Sequence, residues 1–184
     1  LGAEGRFHPL LNYFVEAVHQ GGEAMADVAG DPRIDIEAYA ATAGLLYYPR
    51  WAYHPLISLE MGTGSGDENR SSVTNTFGGK TDSTPDQNFQ YFGVYDAGLA
   101  LSPRLSNLTV LRLGYQFKPL PPEGERLPDL LIGAKAAAYW KNEANGVISD
   151  PLANRASTDV GYGLDAFIGY RPFSDLSILG QYGR

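Results

Sequence analysis

The chain has 184 residues, a formal net charge of −7, 22 glycines, 12 tyrosines and no cysteine. The lack of cysteine excludes disulfides, thiolate metal sites and a cysteine nucleophile. A nucleic-acid partner is not expected, because such partners require concentrated positive charge and the chain has no run of Lys or Arg.

The main pattern is an alternation of apolar and polar residues, which is typical of β-strands. It is clearest after Asn107, where Leu111 and Leu113 alternate with Arg112 and Gly114. Turn-rich sequence separates the alternating segments, so we predict seven antiparallel strands. In chain order the segments are Pro9–Gln20, Ile34–Tyr48, Leu56–Gly64, Leu108–Lys118, Asp129–Lys141, Asp159–Tyr170 and the stretch from Leu176 to the end.

The segments are long, and their connections differ in length from one end to the other. Strands of soluble sheets have about 5–6 residues, whereas a tilted strand needs about 9–11 to cross a bilayer. The connections 21–33, 65–107 and 142–158 are long and polar, and those between them are shorter. Bacterial barrels have short periplasmic turns and long outer loops. We therefore predict an antiparallel transmembrane β-barrel.

One stretch of the longest loop is partly apolar, from Asn88 to Leu101. We expect it to fold onto or into the pore. The alternative is that it forms a further pair of strands.

The charged residues fall on one side of the predicted strands. A Lys or Arg that faces lipid near the bilayer midplane costs about 2–4 kcal/mol, so the charged side should face water. Glu37 is an exception, since it shares the parity of Tyr39. Either it lies near the outer end of its strand or the register changes there. The residues on the charged side, which we predict to line the lumen and the substrate path, are Glu16, Glu60, Arg112, Lys118, Lys135, Lys141 and Asp165.

Aromatic residues cluster at the strand ends. Tyr47, Trp51 and Tyr53 surround the first short turn, and Tyr39, Trp140 and Tyr162 lie toward the other end of their strands. Tyr and Trp favour the membrane–water interface, because one edge is apolar and the other can hydrogen-bond. The alternative is that these rings pack in the core of a soluble sandwich.

The sequence gives little support for catalysis or for a cofactor. Gly64-Ser65-Gly66 falls short of a nucleophile motif, and the three histidines lie in different segments. Asp67 and Glu68 could offer oxygen ligands to calcium, but their spacing does not match an EF-hand, and a solvated acidic loop is the simpler interpretation. We therefore predict neither an enzyme nor a cofactor.

Several motifs, in order and spacing, resemble the C-terminal half of the alginate-export family of outer-membrane porins. They are Ser65-Gly66-Asp67, Tyr91-Phe92-Gly93, the run 101–108 leading into Leu111-Arg112-Leu113-Gly114, Tyr139-Trp140, the run 159–165 and Asp175-Leu176-Ser177.

The resemblance implies a monomeric barrel in the bacterial outer membrane, with an electropositive lumen that passes an anionic polysaccharide out of the cell. By position it assigns Arg112, Lys118, Lys135 and Lys141 as lumen cations. The sequence departs from that pattern because Glu16, Glu60 and Asp165 also face inward.

Residues 1–184 are predicted to form a single but partial barrel domain. Single-chain bacterial barrels have even strand numbers, and open sheet edges are not viable in lipid. We therefore expect further strands, in a larger barrel of about 16–18 strands.

Two functions are compatible with these observations. The first is a passive pore in which the four cations form a ladder that attracts anions. Its expected partners are membrane lipid, an anionic polysaccharide and periplasmic export components. The second is a soluble all-β domain that binds carbohydrate through its tyrosines.

Overall fold

The computed structural model describes residues 1–27, 33–73, 79–90, 95–99, 101, 103–120, 130–150, 152–173 and 175–184. These residues form one antiparallel sheet in which the order of the strands is their order in the chain. The predicted all-β antiparallel class is therefore confirmed, and the sheet is consistent with part of a barrel. The strands are β1 (Gly2–His8), β2 (Leu11–Met25), β3 (Arg33–Tyr47), β4 (Leu56–Gly64), β5 (Leu108–Phe117), β6 (Leu130–Lys141), β7 (Asp159–Phe173) and β8 (Leu176–Gly183).

Across the described residues, no helix is long and apolar enough to cross a membrane. Some of the predicted boundaries and motif residues cannot be compared with the structure. Asp129, the Tyr91-Phe92-Gly93 motif and Ser102 of the run 101–108 lie outside the described residues.

The count of seven strands was wrong, because β1 precedes the predicted set. This strand has only seven residues, and two of them, Gly2 and Gly5, are glycines. No row of apolar residues therefore marks it in the sequence. The predicted loop 21–33 was also too long, since β2 continues to Met25. β7 likewise extends beyond its predicted end at Tyr170, to Phe173.

The register between strands produces two contrasting faces. Residues that are directly opposite each other share a face, and Leu45, Leu59, Leu113 and Leu164 lie in one row with Ala136. Leu113 is 55% exposed and Leu164 is 59% exposed. We call this side the apolar face. A soluble sandwich would bury such rows under a second sheet, whereas here the described residues leave them uncovered.

The opposite side, which we call the polar face, carries Glu60, Arg112, Lys135 and Asp165. β1 provides a check on this sorting, because it played no part in the prediction. Its Glu4 is paired with Phe14 and its Arg6 with Asn12, which places both charges on the polar face. The segregation of charge therefore extends to the unexpected strand.

The misfit at Glu37 comes from strand length and not from a change of register. The pairing of β2 with β3 runs without interruption from Tyr47 to Arg33. Glu37, Asp35 and Arg33 all have the parity of the apolar face, and all lie beyond the exposed ring of Tyr39. β3 has 15 residues, more than the roughly 9–11 that cross a bilayer. These charges are therefore on an extension of the sheet beyond the aromatic ring.

The aromatic rings at the strand ends are exposed, as an interfacial girdle requires and a buried core does not. At the short-turn end the exposed rings include those of Tyr47, Trp51, Tyr53 and Tyr115. At the long-loop end they include Tyr39 and Tyr162, which is 81% exposed.

The buried apolar core lies between the polar face and the long loops. One cluster includes Leu108, Val110 and Tyr139 from the sheet with Ala97 and Ile148 from two loops. A second places Phe89 and Leu105 of the long loop on Ala38 and Ala40 of β3. The loops are therefore packed on the inner side of the sheet, at its long-loop end.

Glycines allow the long loop to approach the sheet this closely. A Cβ atom on Gly62 would overlap the hydroxyl of Tyr95, and one on Gly64 would overlap the carbonyl group of Leu105. Both glycines belong to β4 and are on the polar face, where any side chain would push the loop away.

We expect Leu59→Arg and Ser58→Arg to have very different effects, although the two positions are adjacent in β4. Leu59 is on the apolar face and 44% exposed, whereas Ser58 is opposite Gly114 on the polar face. In lipid vesicles, Leu59→Arg should lower the free energy of unfolding by about 2–4 kcal/mol. Ser58→Arg should change it by less than about 1 kcal/mol.

Urea unfolding, followed by tryptophan fluorescence, measures both changes. Equal destabilisation by the two substitutions would contradict a lipid-facing apolar face.

Candidate functional site on the polar face

Five charged side chains lie near the middle of the polar face. Four come from strands: Glu60 is directly opposite Arg112, and Lys135 is directly opposite Asp165. The fifth, Asp96, comes from the long loop between β4 and β5. The cluster thus combines two cations with three carboxylates, so with the loop in place the wall is not electropositive here.

Arg112 is at the centre of this cluster and is only 7% exposed. Its Nη2 atom donates to Glu60 Oε2 at 2.6 Å, and its Nη1 atom lies 3.1 Å from Asp96 Oδ2. Within the described part of the chain, Nε and Nη1 make no hydrogen bond of good geometry. Arg112 is therefore a buried cation with donor capacity that its ion pairs leave unused.

Asp96 connects the two cations. Besides its contact with Arg112, its Oδ2 atom accepts a hydrogen bond from Lys135 Nζ at 2.8 Å. This hydrogen bond holds the pKa of Asp96 below its ordinary value of 3.8, against the opposing effect of burial. Asp96 is therefore a carboxylate near neutral pH and acts as the anion that the two wall cations share.

Further contacts hold the same stretch of loop on the wall. Tyr139 Oη donates to the carbonyl oxygen of Ala97 at 2.7 Å, and the Leu99 N–H donates to Asp165 Oδ2 at 3.0 Å. Gln20 and Gln90 exchange two hydrogen bonds, at 3.0 and 2.8 Å.

Of the stretch 88–101, the described residues 88–90, 95–99 and 101 therefore pack on the polar face of the sheet. None of these residues belongs to a strand, so the alternative of a further strand pair finds no support among them. That this face lines a pore stays a prediction.

The other predicted lumen residues are distributed along the sheet. Lys118 follows β5 at the short-turn end, where its backbone N–H donates to the carbonyl oxygen of Tyr53. Glu16 is exposed on β2, opposite Thr42. Lys141 ends β6 at the long-loop end, six residues from Lys135 and so about 20 Å away along the strand.

The single cationic ladder that the sequence suggested is therefore not formed. The cations occupy three separate positions, and acidic groups occupy the middle one.

Sequence reasoning missed Asp96 and Tyr139 as parts of this site. Asp96 is in a loop without periodicity, and no motif around it indicates that it reaches a strand more than ten residues away. Tyr139 has the parity of the polar face, but its role depends on the Ala97 carbonyl group, which the sequence does not place.

The two calcium candidates, Asp67 and Glu68, do not form a common site. Both carboxylate oxygens of Asp67 accept hydrogen bonds from Lys80 Nζ, at 2.7 and 2.6 Å, while Glu68 is exposed. Among the described residues, no group of three His, Asp or Glu side chains could hold a metal ion. The Asp67 carboxylate thus has a structural partner within the protein, the ammonium group of Lys80.

The same loop contains a second buried ion pair, between Arg70 and Asp86. Burial raises the pKa of Asp86, and the nearby charge of Arg70 opposes that rise. Together the two pairs fix the shape of the loop segment that precedes Asp96, since removal of one partner from a buried pair costs about 3–5 kcal/mol.

A cavity of about 350 Å³ lies between this loop and the wall. Its lining includes the carboxylates of Glu16 and Glu60 and the rings of Phe14, Phe89 and Tyr95. Ser65, the residue closest to a nucleophile motif, is buried, and its Oγ atom accepts a hydrogen bond from the backbone N–H of Tyr39. The arrangement is suited to non-covalent contact with a polar solute.

In comparisons with known proteins, residues 2–183 match the family model described as alginate export. No curated protein matches the chain. The family match covers all eight strands and the loops between them, so it includes every residue of the polar-face cluster.

We expect Asp96→Asn to loosen the loop from the wall, because the neutral amide loses both ion pairs. Hydrogen exchange of the Leu99 amide, which is bonded to Asp165, should become about tenfold faster. Glu68→Gln removes an exposed carboxylate from the same loop, outside the cluster, and it should leave exchange at Leu99 unchanged. Unchanged exchange in Asp96→Asn would contradict the role of Asp96 as a fastening.

The attachment through Asp96 should depend on pH in one direction only. Because the pKa of Asp96 is depressed in the folded protein, its contribution is complete above the ordinary pKa of 3.8 and is lost as the pH falls through the depressed value. An NMR titration of the Asp96 carboxyl carbon should give a midpoint below 3.8, and Lys135→Met should raise it. A wild-type midpoint above 3.8 would show that Lys135 does not stabilise the ionised form.

Proposed function

This chain belongs to the alginate-export family, and we propose that it forms the wall of a pore with a charge preference for anionic solutes. Family membership implies an outer-membrane protein of polysaccharide export, which is a transport function and not an enzymatic one. The proposal goes further in naming the residues that face the solute and in assigning them a role.

The observation that carries the proposal is the separation of charge between the two faces. The apolar face presents exposed Leu, Ile and Tyr side chains over the strands, as contact with lipid requires. The polar face holds the ionic cluster and the loops. In a water-filled passage the charges of the polar face would be solvated. Contact with hydrocarbon would explain why the strands carry no charged residues on the apolar face within the aromatic girdle.

Charge preference in this proposal comes from Arg112 and Lys135. Their shared partner Asp96 is on a loop, whereas Glu60 and Asp165 are fixed to the wall. A carboxylate group of the solute can replace Asp96 as the partner of Arg112 and Lys135, because either carboxylate forms charge-assisted hydrogen bonds with these cations. The polysaccharide thus competes with the loop for the same two cations.

The remaining candidates extend this path toward both ends. We place the periplasm, with its export components, at the short-turn end. Lys118 is at that end, and Lys141 is at the long-loop end. Glu16, Glu60 and Asp165 line the path between them and limit its positive charge. In this proposal residues 1–184 are one part of a larger barrel domain, with 65–107 and 142–158 as outer loops.

We expect substitution of all four cations, Arg112, Lys118, Lys135 and Lys141, by Gln to lower the anion-over-cation permeability ratio by roughly twofold or more. Asp96→Asn should raise the ratio, because it removes the competing anion. Reversal potentials of the intact protein in planar bilayers at about 0.1 M salt, where charges act over about 10 Å, measure both effects.

The matched control replaces Arg33 and Arg50 by Gln, since both are exposed and outside the polar face. That variant should keep the wild-type ratio. An unchanged ratio in the fourfold variant would refute charge selection by these residues. A monodisperse protein without detergent would instead favour a soluble carbohydrate-binding domain.

A further inference from the structure

A second cavity, of about 330 Å³, lies between the two longest loops at the outer end of β6. It is separate from the ionic cluster around Arg112, because Tyr139 and its bond to Ala97 lie between them on the same strand. Its polar lining consists of Ser71, Ser72, Lys141, Asn145, Ser149, Asp150 and Asn154.

Lys141 is unusual among the buried cations of the described residues. Arg70, Lys80 and Arg112 each contact a carboxylate. Lys141 is only 5% exposed, and none of the ion pairs among the described residues includes it. Its Nζ atom donates to the carbonyl oxygen of Arg155 at 3.0 Å, which uses one of three N–H donors.

An ammonium group that is buried without a counter-ion is costly, because it loses hydration and gains little in return. The two remaining donors of Lys141 are available to the cavity that it lines. The backbone N–H of Lys141 donates to the carbonyl oxygen of Thr158, which holds this end of β6 beside the loop 142–158. The structure therefore holds a buried ammonium group in the cavity lining that is not in ion-pair contact with any carboxylate of the described residues.

The neutral groups of the cavity are also held in place. Ser149 Oγ accepts from the backbone N–H of Arg104 at 2.7 Å, and Ser71 Oγ donates to the carbonyl oxygen of Gly79 at 3.2 Å. Apolar side chains, including Val73 and Ile148, complete the lining. Hydroxyl and amide groups beside an apolar patch match the mixed surface of a sugar ring.

Asp150 narrows the choice of anion. Its carboxylate lines the same cavity, and its Oδ1 atom accepts from the Leu152 N–H at 2.8 Å. A second negative charge in the cavity disfavours a dianion such as phosphate more strongly than a monoanion. A single carboxylate, paired with one ammonium, fits the local charge.

We propose that this cavity binds one sugar-acid unit of a polysaccharide, with its carboxylate on Lys141 Nζ. The cavity volume is in the range of small-ligand sites. The proposal rests on the proposed function for the source of the ligand, and it adds an outer binding site to the path. A chain that leaves the pore would then contact the loops through a specific unit and not through diffuse charge.

The test uses a hexuronate disaccharide as the probe and isothermal titration calorimetry of the intact protein in detergent. Lys141→Met keeps the length of the side chain but removes the charge, and it should weaken binding about tenfold or more. Arg50→Met removes a cation from the opposite end of the sheet and should leave binding unchanged. A neutral disaccharide should bind much more weakly than the uronate.

Asn154→Ala tests the same site at its exposed rim, where the fold is not at risk, and it should weaken binding about twofold to threefold. The proposal is overturned if the wild-type protein does not bind the probe, or if Lys141→Met and Asn154→Ala bind it as the wild type does. Competition by inorganic phosphate as strong as that by the uronate would overturn the assignment to a sugar acid.

These results are independent of the bilayer conductance. Anion preference without uronate binding would refute only the outer site. Uronate binding without a pore would refute the proposed function and leave the site.

Discussion

The structure depends on one constraint, which is that an ion cannot be left in hydrocarbon without a large cost in free energy. Because a β-strand alternates its side chains, each strand can satisfy this constraint only by placing its charges at every second position. The strands from β1 to β7 do so within the aromatic girdle, and even the short strand β1 places Glu4 and Arg6 on the polar face. The register between the strands, the face on which each side chain lies and the side on which the loops pack all follow from this separation of charge.

The same sorting creates a second problem on the inner side, where ions are crowded together. They are accommodated by pairing, and the loop between β4 and β5 supplies part of it through Asp96. The loop can reach the wall because Gly62 and Gly64 leave room for it. In the proposed function, the groups that hold the loop on the polar face are also those that face the solute.

The sequence was sufficient for the features that follow from periodicity. It predicted β4 to the residue, the two faces, the inward position of the long loop and the family, which the match over residues 2–183 confirms. It failed where contacts depend on the folded path of a loop. Nothing in the spacing of Arg112 and Lys141 reveals that one is paired with carboxylates while the other is buried without one. β1 escaped detection because its outward positions include glycine and so form no apolar row.

The paired extension of β2 and β3 beyond Tyr39 has a mechanical consequence. Six further residues, from Ala38 to Arg33, raise this part of the sheet by up to about 20 Å along the strand. Residues 80–86 are hydrogen-bonded to this rim, through Asp27 to Lys80 and through Glu37 to Asp86. The buried ion pairs of the loop are thus attached to a paired, two-stranded extension beyond the aromatic girdle, so thinning of the lipid around the girdle should leave the geometry of this loop unchanged.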